Sequence, residues 1–281
     1  MNGRRLTDGQ FAWLLMVPGV ALFLAIIAYP LVSALVTGFF EQSLVRPGRS
    51  FVGLANFADL LGGDFWPVLS NTLVFTLGAT IAPFVIGYAL ALALDAGLPG
   101  WLRGVFLFPW VIPGVVVSFL WLWIFNANYG VLNGLLGTQV SWLGDPVTAM
   151  VAVIVTKTWA SFPWMMVMLL AGLQTMPKEL HEAAAVDGAG AVRRFRSVTV
   201  PHMRHIAGIA FLLEFIWNFQ HFDTIYVLTG GGPAGATKTF AVAVYDTAFK
   251  GFDLGHATAL GGLWMLLLLV LMVFYLRKEN T

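Results

Sequence analysis

Lys157 and Glu214 each interrupt an apolar stretch long enough to cross a bilayer. A charge near mid-membrane costs at least about 2.5–3.5 kcal/mol, so each should face a partner or a wet cavity, and the two can face each other. Polar and aromatic residues recur around them at helical spacing. Glu214, Trp217, Asn218 and His221 stand at i, i+3, i+4 and i+7, while Lys157, Ser161, Trp164 and Met168 share a face of the other stretch. Two facing stripes that mix indoles with amide, imidazole and charged groups suit a sugar, whose C–H faces stack on aromatics while its hydroxyls need donors and acceptors. A structural ion pair flanked by interfacial tryptophans competes with this reading. So does a proton or ion relay through Lys157 and Glu214 in a stand-alone secondary transporter.

A second polar island runs Glu179-Leu180-His181-Glu182-Ala183-Ala184-Ala185-Val186-Asp187-Gly188, with Pro201 thirteen residues further on. Pro177 suits a first helical turn, Glu179 and Glu182 lie near the positive end of the helix dipole, and three alanines propagate the helix until Gly188 and Gly190 end it. A helix of about ten residues is too short to persist alone in water, so it needs a surface to dock on. Its histidine does not announce a metal: His181-Glu182 begins like a zinc-protease helix, but the position that needs a second His is Ala185, and His202 and His205 lack an acidic third ligand nearby. Gly230-Gly231-Gly232 is followed by Pro233 and Ala234, where a phosphate loop would close with Gly-Lys-Ser/Thr. The chain itself is expected to bind no ATP, cofactor or metal, and the lack of a complete catalytic motif counts against a membrane-embedded enzyme.

The elements that must position these residues follow from composition. With 59% hydrophobic and only 10% charged residues in 281, the chain cannot furnish a soluble exterior. A bilayer core of about 30 Å takes roughly 20 helical residues to cross, and segments near 11–38, 70–94, 103–125, 148–173, 205–228 and 256–276 are long enough. The expectation is an all-α integral membrane protein, one domain over 1–281 with six transmembrane helices. Arg4 and Arg5 precede the first run, which continues through Phe40 and so exceeds a signal h-region of about 7–15 residues. With the N-terminus inside, ten of the fifteen Lys and Arg fall on inner segments and four (Arg46, Arg49, Lys238, Lys250) on outer ones, which puts both termini and the loop 174–204 in the cytoplasm. Trp121, Trp123, Tyr129 and Trp142 collect near the outer interface. Pro18, Pro30, Pro83, Pro109, Pro113 and Pro163 lie in or beside spans and favour a bundle around a changing cavity. Gly104, Gly114 and Ser118 in the third span, and Gly255, Ala259 and Gly262 in the sixth, allow close helix approach. Basic residues form no face interleaved with aromatics, which speaks against nucleic acid, and the absence of cysteine excludes disulfides.

The run Glu182-Ala183-Ala184, then three residues and Gly188, then nine residues and Val198-Thr199-Val200-Pro201, resembles the EAA loop of permease subunits from binding-protein-dependent ABC importers. Val198 and Val200 stand where that family usually has Ile and Leu. Ala171-Gly172-Leu173-Gln174, Asp187-Gly188-Ala189, Phe222-Asp223, Thr229-Gly230-Gly231-Gly232-Pro233, Thr237 and Phe51-Val52-Gly53-Leu54-Ala55-Asn56-Phe57 are similar to the maltose-type carbohydrate permeases. The resemblance implies that Glu182, Ala183, Ala184, Asp187, Gly188 and Pro201 belong to a coupling helix and loop seated in a groove of a cytoplasmic ATPase, whose ATP-driven closure moves the spans on either side. It implies a second homologous permease, two ATPase subunits that hold the ATP and Mg, and an extracytoplasmic solute-binding protein, all at the cytoplasmic (inner) membrane of a prokaryote. A carbohydrate is then the expected substrate, with Lys157, Ser161, Trp164, Glu214, Trp217, Asn218 and His221 as candidate contacts. Gly231, Gly232, Pro233 and Thr237, in an outer loop 229–253 made flexible by its glycines, are the candidate contacts to the solute-binding protein.

Overall fold

A computed structural model describes residues 7–279, so Arg4 and Arg5 lie outside the described residues, as do the side chains of Lys178, His181 and Lys278. The chain divides into two units, Met1–Phe65 with Val244–Thr281, and Trp66–Ala243.

The middle unit holds the residues singled out above. Its Pro146–Gln174 helix starts where Asp145 Oδ1 accepts from Val147 N and Thr148 N and Pro146 fills a position whose N–H has no helical partner. Against it lies the Phe65–Asp95 helix, brought close by glycines. A Cβ on Gly87 would sit 2.8 Å from Met166 N and 2.9 Å from Met165 Cβ, so two backbones meet there with no room for a methyl group. The Val200–Phe219 helix completes the group, with Gly172 accommodating Met203 and Ile206. Two buried clusters fill the space between these helices, one around Phe75, Val153, Ile225 and Val242, the other around Ala91, Met165, Met166, Leu169 and Met203.

Gly87→Ala is expected to cost about 1–3 kcal/mol, because the added methyl meets backbone that cannot rotate away. Gly104, which has nothing within 4 Å of its Cβ position, serves as the control. Thermal unfolding of the purified protein in detergent should show a drop of several degrees for Gly87→Ala and none for Gly104→Ala.

Two expected spans are broken. The segment 103–125 forms helices Leu102–Val111 and Gly114–Ile124 at 94° to each other. Pro113 has no N–H to continue the helix and its ring forces Ile112 to an extended ψ of 132°. The segment 205–228 begins earlier, at Val200, and stops at Phe219, after which a new helix runs Asp223–Thr229. Among the described residues four helices are individually long and apolar enough to cross a membrane, Phe11–Thr37, Phe65–Asp95, Pro146–Gln174 and Leu254–Tyr275, and five spans result if the bent pair counts as one. The 20-residue Val200–Phe219 helix has the length, but His202, Arg204, His205 and Glu214 dilute its apolar character.

Widened turns mark two other prolines. Val200 N bonds Phe195 O ahead of Pro201, and Tyr29 N bonds Leu24 O ahead of Pro30, each an i→i−5 closure. A proline ring crowds the carbonyl four residues back, and a π turn moves that carbonyl aside without breaking the helix.

The terminal unit carries the Asp8–Phe23 and Tyr29–Thr37 helices, joined by that π turn, a short hairpin pairing Phe40–Gln42 with Arg49–Phe51, and the Leu254–Glu279 helix. Its small residues pack internally. A Cβ on Gly38 would meet Ala259 backbone at 3.1 Å, one on Gly262 would meet Leu35 at 3.3 Å, and Gly255 lies against Phe40 O. Gly104 and Gly114, by contrast, face open space.

Candidate functional site

The Pro146–Gln174 and Val200–Phe219 helices bring the two predicted stripes together. Lys157 Nζ lies 3.9 Å from Glu214 Oε1, and Ser161 hydrogen-bonds the same carboxylate. Asn218 Nδ2 donates to Glu214 Oε1 at 3.2 Å, to Ala79 O at 2.8 Å and to Thr80 Oγ1 at 3.1 Å, which ties both stripes to the Phe65–Asp95 helix. Glu214 is 2% exposed and Asn218 1%, while the Lys157 side chain keeps 16% of its surface exposed. Trp164 and Trp217 are arranged differently. Their rings meet edge to face at 4.8 Å and Trp217 stays 45% exposed. The stripe read as one sugar-facing surface therefore divides into polar groups that fasten three helices and a pair of indoles, of which Trp217 is open while Trp164 packs against the cluster around Met165 and Leu169.

His221 is not the fourth member of that face. With the helix ending at Phe219, no i+7 position exists, and His221 instead closes the start of the next helix, its Nε2 2.8 Å from Thr224 Oγ1 and accepting from Thr224 N at 3.4 Å. Its ring stacks on Phe75 at 5.9 Å.

Sequence reasoning missed the threonines that receive these helices. Thr72, Thr76 and Thr80 are fully buried at i, i+4 and i+8 of the Phe65–Asp95 helix, and Thr72 Oγ1 accepts from Phe240 N at 3.0 Å. Three hydroxyls on one face of an apolar span were the available signal.

The second polar island forms the helix Lys178–Val186. Gly188, at φ 75°, ends it in a paired closure: Gly188 N bonds Ala185 O at 3.0 Å and Ala189 N bonds Ala184 O at 2.9 Å. Only Ala184 of the Glu182-Ala183-Ala184 run is partly covered, and Val186 is 88% exposed, so this short helix presents apolar surface outward. Thr175, just before it, hydrogen-bonds Gly172 O and His202 Nε2, joining the end of one long helix to the start of the next beside Pro201.

The glycines at 230–235 do not make a loose loop. Thr229 Oγ1 and Thr237 Oγ1 lie 2.7 Å apart, Thr237 Oγ1 donates to Gly232 O, and Asn71 Nδ2 donates to Gly235 O and Lys238 O. Gly230, Gly231 and Gly235 supply positive φ where the chain folds back, and a Cβ on Gly231 would press on Val242 and Lys238. Thr237 is 1% exposed, so it holds the loop from inside while Pro233 and Ala234 lie nearer the surface. Thr237→Val, which keeps the shape and removes the hydroxyl, is expected to speed amide exchange across 230–238 by about 2–12-fold, the equivalent of a net hydrogen bond of about 0.5–1.5 kcal/mol. Mass-resolved hydrogen exchange measures it, and the rates of the long helices should not change.

The family model described as "Binding-protein-dependent transport system inner membrane component" matches residues 84–278. The chain is 32% identical over 277 residues to the "Trehalose/maltose transport system permease protein MalF" of Thermococcus litoralis, covering 96% of this chain and 94% of that one. It is 35% identical over 286 residues to the "Sulfoquinovosyl glycerol transport system permease protein SmoG" of Agrobacterium fabrum, covering 98% and 92%. Among solved structures, the fold matches a chain of a bacterial ABC transporter involved in the import of the acidic polysaccharide alginate, with a TM-score of 0.83, 19% identity and coverage of 96% and 95%.

Proposed function

This chain belongs to the family of binding-protein-dependent transport system inner membrane components, and from that membership we propose that it is the permease subunit of an ATP-driven importer for a sugar or sugar-like solute, working by alternating access. The likeness along almost the whole chain to permeases named for trehalose, maltose and sulfoquinovosyl glycerol carries the substrate class. In this reading the chain performs no bond chemistry. ATP and Mg are held by two ATPase subunits, a second homologous permease completes the pathway, and an extracytoplasmic solute-binding protein delivers the substrate, with both termini of this chain in the cytoplasm.

Exposed Val186 and the Glu182-Ala183-Ala184 run, held rigid by the closure at Gly188, are what an ATPase groove would grip. Movement of this helix reaches the Pro146–Gln174 and Val200–Phe219 helices together, because Thr175, His202, Gly172 and Met203 fasten their adjoining ends. Trp164 and Trp217, further along the same two helices, would then change their presentation to a sugar. Lys157 pairs with Glu214, which together with Ser161 and Asn218 keeps the helices in register, and His221 sets the turn that follows. The contact proposed for the solute-binding protein is the firm loop around Gly231, Gly232 and Pro233, with Thr237 supporting it. A stand-alone secondary transporter finds no support in the family membership.

The test is reconstitution of the assembled transporter with its solute-binding protein, measuring uptake and ATP hydrolysis with maltose, trehalose, other saccharides and, as controls, amino acids. Stimulation by a saccharide is expected. Stimulation by amino acids alone would overturn the substrate class while leaving the importer assignment standing.

A further inference from the structure

The middle unit contains a second place with sugar-binding chemistry, far in sequence from Trp164 and Trp217. The segment after the Gly114–Ile124 helix folds into a cavity of about 420 Å³ whose walls include Phe119, Trp123, Tyr129 and Trp142, with Asn126 and Ser141 between the rings. Small-molecule sites range over roughly 300–1,000 Å³, so the volume admits a saccharide unit.

Hydrogen bonds fix this segment before any ligand arrives. Asn133 Nδ2 donates to Ala127 O and Val140 O, and Trp142 Nε1 donates to Asn133 Oδ1 at 2.8 Å, which anchors one indole of the wall. A tryptophan of a membrane-interface belt turns its N–H toward lipid headgroups, and Trp142 does not. Asn126 Oδ1 accepts from Asn128 N at 2.9 Å and Tyr129 N at 3.2 Å, which orients the amide and, among the described residues, leaves its Nδ2 with no intrachain acceptor. Exposed Ser141 likewise keeps its hydroxyl available. Ring faces, the Trp142 one anchored through its N–H, with one amide donor and one hydroxyl are what a neutral polyhydroxylated ligand needs, and the wall carries no charged side chain to prefer an ion.

We propose that this cavity is a receiving subsite for the transported saccharide, occupied before the sugar reaches Trp164 and Trp217. The proposal rests on the sugar-importer reading and on the orientation that puts 126–145 outside, where the solute-binding protein releases its cargo.

The test uses the complete transporter in proteoliposomes with its solute-binding protein, and as probe whichever of maltose and trehalose wild type takes up faster. Asn126→Asp keeps the acceptor that holds the turn while replacing the amide donor with a second oxygen and a negative charge, and Ser141→Ala removes the hydroxyl without adding charge. Each variant should take up sugar about 2–12-fold more slowly at limiting loaded binding protein, with ATP hydrolysis stimulated by the unloaded binding protein unchanged. A diazirine derivative of the same sugar should label 119–129 or 141–143 in wild type and lose that labelling in Asn126→Asp. Normal uptake by the double variant, or labelling of this segment by a photoreactive phospholipid and not by the sugar, would overturn the subsite. If wild type imports neither maltose nor trehalose, the probe is the saccharide that the panel above shows to be taken up; if no saccharide is, the substrate reading fails first and the subsite's occupant fails with it.

Discussion

Gly188→Pro is expected to abolish uptake with the permease still inserted in the membrane and folded in its long helices. Gly188 closes the Lys178–Val186 helix at φ 75°, while proline fixes φ near −65°. Proline also removes the N–H that bonds Ala185 O, so the helix end unravels where it would meet the ATPase. Gly188→Ala should be milder, since a left-handed residue with a Cβ costs roughly 1–2 kcal/mol, and Gly188→Asn milder still because asparagine tolerates that conformation. Glu182→Lys should match the proline variant for another reason: Glu182 stands exposed at the middle of the Lys178–Val186 helix, and the replacement reverses the charge offered to the partner. Co-purification of the ATPase and uptake at matched expression measure both effects. Wild-type uptake by Gly188→Pro would remove the coupling role from this helix.

The second large effect concerns Lys157 and Glu214. Breaking a buried ion pair from one side costs about 3–5 kcal/mol because the survivor is left charged and unpaired. Lys157→Met or Glu214→Gln alone is therefore expected to reduce the folded, extractable protein severely, whereas the double replacement should recover much of it. Glu214→Gln retains a carbonyl for Asn218 Nδ2, so the loss isolates the charge and not the bond at 3.2 Å. Size-exclusion profiles and melting curves for the four proteins form a double-mutant cycle. A double variant no better than the worse single would mean that the two charges do not support each other.

Much of this arrangement is legible in the residues. Apolar length marks the helices Phe65–Asp95, Pro146–Gln174 and Leu254–Glu279 closely, and two lone charges in apolar segments point to each other because nothing else in a bilayer would balance them. The breaks are harder to read. Pro83 and Pro163 lie inside continuous helices, yet Pro113 ends one, and all three remove the same donor. What separates them is whether neighbouring helices hold the chain straight through the proline, a tertiary property. Pro163 is buried among packed helices, while Ile112 beside Pro113 has turned to extended backbone. The glycines at 230–235 mislead for a related reason: glycine signals a permitted backbone conformation, and whether that conformation is fixed depends on Thr237 and Asn71 bonding to it from elsewhere. The face carrying Glu214 and Asn218 fails only at its last member, since helical projection assumes that the helix continues to His221.

The widened turn Phe195–Thr199 sets the rotational phase of everything after it. A π turn contains one residue more than an α turn, and each residue of α-helix advances the side chains by about 100°. Removing a single residue from this turn, with Pro201 retained, would therefore rotate the Val200–Phe219 helix relative to the coupling segment by about that angle. Glu214 would swing away from Lys157 while an apolar neighbour took its place. The spacing between the polar island and the intramembrane carboxylate is thus quantised, and length changes in this linker carry a far heavier penalty than substitutions within it.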